Sequence, residues 1–260
     1  MARVETLVSA LEATTENIRQ AVALFAINRA PSTDKELLSK FTNTYAAHVF
    51  NFLRNQNSLA TILALGRIWD STESAQSVPN LLPFLKEPEI LDEIVARRRE
   101  AMLSIQNVAI DPGENEGEIR AALARMAERD ADQAEADARK SARSLVEQIE
   151  AIINGDVLKS LHNVRNKRIG HSLQMTRAEQ RALRQGQMIA PLTIRDIEPT
   201  LRETIKIVTG LNILIRDLHI SLDSLEHVYS RYAHDFWDRF SGEPKGRGLM
   251  RRPLAAPKID

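Results

Sequence analysis

The sequence predicts an all-α protein, and three observations carry the prediction. Apolar residues recur at three- and four-residue steps along most of the chain. Aromatic residues make up only 5% and Gly and Pro number ten each, a poor composition for strands and turns. Capping patterns and prolines fall between the periodic runs, where helices should begin and end. The 260 residues are read as one domain over 1–240, a helical bundle carrying a long charged arm at about 114–153. Residues 241–260, rich in Pro, Gly and basic residues, are expected to form a disordered tail.

Val4, Leu7, Leu11, Ile18, Val22 and Phe25 describe an opening amphipathic helix. Pro31 should stop it, with Thr33 and Glu36 forming a capping box for the next. That second helix is expected to run on to "LATILALGRIWD", where Leu59, Ile62, Leu63 and Trp69 make an apolar stripe. "STESAQSVPNLLPFLKEP" reads as a loop because of its three prolines and its serines. A helix over "EILDEIVARRREAMLSIQNVAI" should end at "DPGENEG". From Glu118 the chain turns rich in Ala, Glu and Arg, and Ile119, Leu123 and Met126 give way to an alanine seam. That pattern suits a long helix packed on one neighbour. Asn154-Gly155 should cap it, and Asp156 can cap the next segment. "MTRAEQRALRQG" predicts a short helix with Thr176 and Glu179 as its capping box. The stretch from Thr193 to Phe240 predicts one long amphipathic helix, in which Pro199 is tolerated if it falls in the first turn.

Lys+Arg and Asp+Glu balance at 35 each, so any nucleic-acid site must be a local patch. The chain has no Cys, which excludes disulfides, thiol nucleophiles and Cys-based zinc sites. It shows no Glu-x-x-His, glycine-rich phosphate loop, Gly-x-Ser-x-Gly elbow or His-Glu-x-x-His helix. No signal-peptide core or membrane-length apolar run is present, so the expected location is the cytoplasm, away from membranes. His227 and His234, with Asp223 and Asp238 near, read as a solvated stripe before a metal site. Arg247, Arg251 and Arg252 of the tail fit electrostatic contact with RNA and a solubilising tail equally.

The richest chemistry sits in "LHNVRNKRIGHSL", Leu161 to Leu173. Its charges alone fit a helix C-terminus, where Lys, Arg and His are favoured by the macrodipole. The order Arg165-Asn166, then Gly170-His171, read with "ALGRIWDS" upstream, resembles the HEPN superfamily and its abortive-infection subfamily. Members carry an Arg separated from a His by four to six residues, with a polar residue, often Asn, after the Arg. The resemblance spans roughly Phe41 to Leu218. It implies metal-independent, cofactor-free RNA cleavage in phage defence or as a toxin, at a cleft between the two protomers of a homodimer.

On that basis Arg165 and His171 would be catalytic with Asn166 assisting, and His162, Lys167 and Arg168 would hold phosphates. A His near neutral pKa can serve as base or acid, and a guanidinium can stabilise charge building on the phosphate. Arg165 and His171 stand six positions apart, about 240° around a regular helix, so they share a face only if the helix unwinds, most easily at Gly170. A two-fold dimer relaxes that demand. Arg67 and Asp70 read first as a local ion pair and second as support for the site, while Trp69 reads as core. An antitoxin or a nucleotidyltransferase partner is also implied. Some members carry a Tyr two residues after the His that such a transferase modifies; Leu173 stands there in this chain. The alternative function is a non-catalytic helical module that binds RNA or a protein.

Overall fold

The computed structural model describes residues 2–42, 44–104, 116–155, 158, 161 and 194–241. Among them are eight helices and no strand, so the fold class is all-α as predicted: α1 (Ala2–Thr33), α2 (Lys35–Phe41), α3 (Ala46–Ile68), α4 (Val78–Lys86), α5 (Pro88–Leu103), α6 (Glu116–Ile153), α7 (Ile194–Arg216) and α8 (Leu222–Ser241). No described helix is long and apolar enough to cross a membrane. The chain forms two compact units. The first contains Met1–Thr15, Trp69–Gly155 and Lys206–Ile220; the second contains Glu16–Ile68, Asp156–Ile205 and Ser221–Asp260.

The element boundaries differ from the sequence prediction where prolines and polar residues act locally. Pro31 does not stop α1, which carries it within the last turn and ends at Thr33. A proline that late forfeits one hydrogen bond and leaves most of the helix intact. The cap is Asp34 and not Thr33: its carboxylate accepts the N–H groups of Glu36 (2.9 Å) and Leu37 (3.1 Å). Thr33 instead donates its hydroxyl back to the Arg29 carbonyl. The expected second helix is two, α2 and α3, because Thr42 and Thr44 turn their hydroxyls onto the Leu38 and Phe41 carbonyls. Those side-chain bonds offer the backbone an alternative to continuing the helix.

The proline-rich stretch is not a loop throughout. Pro79 lies in the first turn of α4 and Pro88 begins α5, positions whose N–H would be unpaired in any helix. The predicted long C-terminal helix breaks at Asp217, whose φ of 51° is left-handed, and Leu218 donates its N–H to the Asn212 carbonyl. Asp enters that region more readily than most residues, so the break needs no glycine. Pro199 falls in the second turn of α7, one turn later than the first-turn placement considered. Gly155 does follow α6, with its N–H on the Ile152 carbonyl, and a Cβ there would meet that oxygen at 3.2 Å. The end of the third predicted helix, the "DPGENEG" stop, Asp156, the short helix at 175–186 and the tail after 241 lie outside the described residues.

In the first unit α5 and α6 run antiparallel. Arg99 pairs with Glu128 (2.9 Å) and Asp132, Asp92 with Arg139 (2.8 Å), and, just before α5, Lys86 with Glu150. These pairs are exposed and set register more than stability. The hydrogen bond to Asp132 is the main cause that raises the Arg99 pKa above its ordinary range. Burial comes from the predicted alanine seam, Ala127, Ala131, Ala138 and Ala142, continued by Leu145 and Ile149. Small side chains let neighbouring elements approach closely, and at Gly210 of α7 a Cβ would meet the Leu145 Cδ2 at 2.9 Å. Gly210→Leu overpacks that contact and is expected to cost about 1–3 kcal/mol in a denaturant titration; an unchanged midpoint would show that the α6–α7 approach is looser.

Around Asn212 the polar groups of this unit are joined in a chain of hydrogen bonds. Asn212 donates to the Thr15 Oγ1 (2.9 Å) and the Val208 carbonyl, Arg216 donates to the Asn212 Oδ1 (3.1 Å), and Arg216 also pairs with Glu12 (2.9 Å). A half-satisfied network here would cost more than an apolar core.

Candidate functional site

His162, Arg165, Asn166, Lys167, Arg168 and His171 lie outside the described residues. What is described is the frame on either side. Leu158 and Leu161, three positions apart in a helical register, are both buried, so the chain enters the motif from an anchored apolar face. It returns in α7, where Ile197 and Leu201, one turn apart, are buried too. Leu158, Leu161, Ile197 and Leu201 all belong to the second unit.

The first turns of α7 are held by a charge network in that unit. Arg202 forms paired hydrogen bonds with Glu226 of α8, one of them 2.7 Å, and bonds Glu198 (3.3 Å) one turn earlier. Arg29 of α1 approaches the same Glu226 at 3.6 Å, and the Arg202 guanidinium lies 5.6 Å from the Phe25 ring centroid. Glu226 is 8% exposed, so its two arginines supply what water would otherwise give. The hydrogen bond to Glu226 is the main cause that raises the Arg202 pKa above its ordinary range, with burial opposing it. This network clamps α1, α7 and α8 together and was missed from sequence. The Glu198/Arg202 spacing signals a helical pair, but nothing in the chain ties Arg202 to a glutamate 24 positions on.

The upstream "GRIWD" segment ends α3. Arg67 is exposed in the last turn, and Ile68 and Trp69 are fully buried, which bears out the core reading of Trp69. The Asp70 carboxylate accepts the N–H (3.0 Å) and hydroxyl (2.7 Å) of Thr72, and its carbonyl accepts the Ser77 hydroxyl. Asp70 thus shapes the turn into α4.

His227, His234, Asp223 and Asp238 are exposed on α8, and among the described residues no three His, Asp or Glu side chains converge as metal ligands. A shallow groove in the first unit, lined by Glu5, Ser9, Glu73, Gln76 and Asn80, has acidic walls that would repel a phosphodiester.

A sequence model of the AbiU2 family of HEPN proteins matches residues 1–236. No curated protein and no solved structure matches the chain. The match takes in the "GRIWD" segment, the Arg165–His171 motif and both units as far as the last turns of α8. The chain belongs to the AbiU2 family of HEPN proteins.

Proposed function

We propose that the protein is a metal-independent endoribonuclease that acts in phage defence or as a toxin, with its site at a cleft between two copies. The observation that carries this reading is the order Arg165-Asn166…Gly170-His171 inside the span matched by an abortive-infection HEPN family. Anchoring by Leu158 and Leu161 on one side and Ile197 and Leu201 on the other supports it, since a site works best on a rigid frame.

The reaction uses the nucleophile that RNA brings. His171 of one copy takes the proton from a ribose 2′-OH, whose oxygen forms a bond to phosphorus. The bond from phosphorus to the 5′ oxygen breaks, and the His171 of the second copy returns a proton to that leaving oxygen. The products are a 2′,3′-cyclic phosphate and a free 5′-OH. Arg165 stabilises the charge that builds on the non-bridging oxygens, Asn166 orients the phosphate or the imidazole, and His162, Lys167 and Arg168 hold neighbouring phosphates.

The experiment is cleavage of a labelled RNA in excess EDTA, beside the same strand with 2′-deoxyribose at every position. Cleavage of the first and not the second is expected. Loss of cutting in EDTA, or cleavage of the deoxy strand, would overturn the mechanism. RNA bound with steep salt dependence but never cut would favour the non-catalytic binding module.

A further inference from the structure

We propose that the groove in the first unit binds an arginine-bearing segment of a partner protein. The inference goes beyond the ribonuclease reading and does not depend on it, because a face that repels phosphodiesters takes no part in holding RNA.

Three pieces of chain build the groove, and all belong to the first unit. Glu5 and Ser9 come from α1, one turn apart. Glu73 and Gln76 come from the turn before α4, and Leu81 and Phe84 from α4 itself. The volume is about 730 Å³, within the range of ordinary ligand sites, although the groove is shallow.

The turn that carries Glu73 is fixed in place. Asn80 donates its side-chain amide to the Thr72 and Ala75 carbonyls, both at 2.7 Å, and Ala75 donates its own N–H to the Thr72 carbonyl (2.9 Å). The buried Thr14 of α1 reaches the Gln76 carbonyl with its hydroxyl at 3.4 Å. Together with the bonds of Asp70 to Thr72 and Ser77, these contacts tie the turn to both α1 and α4. The backbone at Glu73 is therefore set before anything binds, which lowers the ordering cost of association.

The charge in the groove is uncompensated. No lysine, arginine or histidine among the described residues lines it. Arg3, two positions before Glu5, turns to Glu87 (2.9 Å), and Lys86, two positions after Phe84, pairs with Glu150. Other carboxylates of this unit have their cations: Glu12 has Arg216, Asp92 has Arg139 and Glu128 has Arg99. Glu5 and Glu73 are exposed and have none among the described residues.

A cation is what such a set of side chains holds, and the neighbours decide which. A guanidinium meets carboxylates with a planar fork of donors and stacks on an aromatic ring, which Phe84 supplies. Its carbon stem suits the apolar surface of Leu81 and Pro83. Asn80 adds an acceptor, since its nitrogen is engaged twice and only its oxygen is left to offer. Shape decides between a free small ligand and a side chain carried on a peptide. Small molecules bind where most of their surface is enclosed. A shallow groove leaves one side of its occupant in water, where a peptide backbone stays solvated.

The test is fluorescence anisotropy of a short labelled peptide, with two arginines among glycines and serines, titrated with the full chain at low salt. Saturable binding is expected. The same peptide with citrulline for arginine keeps the shape and loses the charge, and should bind about 10-fold more weakly. Glu5→Gln with Glu73→Gln should raise the dissociation constant by roughly 5- to 30-fold, and Phe84→Ala by roughly 2- to 5-fold. Glu89→Gln with Glu100→Gln makes the same change in net charge at exposed sites of α5 outside the groove, and should leave binding unchanged. Circular dichroism spectra of the Glu→Gln variants should match wild type, since every change is at an exposed position. No binding of the peptide by wild type, equal affinity in the groove double variant, equal affinity for the citrulline peptide, or an equal loss in the α5 double variant would each overturn the proposal. So would displacement of the label by spermidine at the concentration at which unlabelled peptide displaces it, which would make the groove a polyamine site. A protein that binds the peptide and never cuts RNA keeps this proposal and loses the ribonuclease, and one that cuts RNA and ignores the peptide does the reverse.

Discussion

His171→Ala is expected to lower RNA cleavage by about 10⁴-fold, the largest functional effect of any single substitution in this chain. Each copy would lose its imidazole, so a shared cleft would lose both the group that takes the 2′ proton and the group that returns one to the 5′ oxygen. Arg165→Ala should cost less, roughly 10²–10³-fold, because the guanidinium lowers the barrier by charge stabilisation without moving a proton. Arg165→Lys should recover little of that, since an ammonium lacks the planar fork of donors that suits a phosphate. Single-turnover cleavage of one labelled RNA measures all three, with the circular dichroism spectrum as the check on folding. Wild-type rates in His171→Ala would remove the histidine from the mechanism.

The second large effect is on stability. Trp69→Ala is expected to cost about 3–5 kcal/mol and to lower the thermal midpoint by roughly 10 °C. Trp69 is fully buried immediately after α3, with Ile68 buried beside it and Asp70 organising the turn that follows. Removing an indole there leaves a cavity that the adjoining backbone, held by the Asp70–Thr72 and Ser77–Asp70 hydrogen bonds, can fill only in part. Trp69→Phe should cost distinctly less. A loss below about 1 kcal/mol for Trp69→Ala in a denaturant titration would show that the site collapses freely.

The periodic apolar residues were enough to place the long helices α1 and α6. Val4, Leu7, Leu11, Ile18 and Val22 are all fully buried in α1, as their spacing requires, and the alanine seam of α6 is buried in register. Helix ends were less legible, since each is decided by a local contest between side chain and backbone. Asp34 outcompetes Thr33 as a cap because its carboxylate reaches two N–H groups, and Asp217 ends α7 without glycine by taking the left-handed region. Prolines misled for a related reason. At 79 and 88 they occupy positions whose N–H has no helical partner, so they start helices instead of preventing them.

Sequence by itself determined the helical class, the burial of Trp69, and the family, through residue order at 165–171 and the "GRIWD" segment. Order along the chain is what a motif consists of, and periodicity is a one-dimensional property. Only the tertiary structure decided which distant groups meet: the Arg202–Glu226–Arg29 clamp, the Asn212–Thr15 hydrogen bond across 197 positions, and the Phe50–Trp237 ring contact. None of these leaves a periodic trace, because the energy of a contact depends on separation in space, and the fold alone sets that separation.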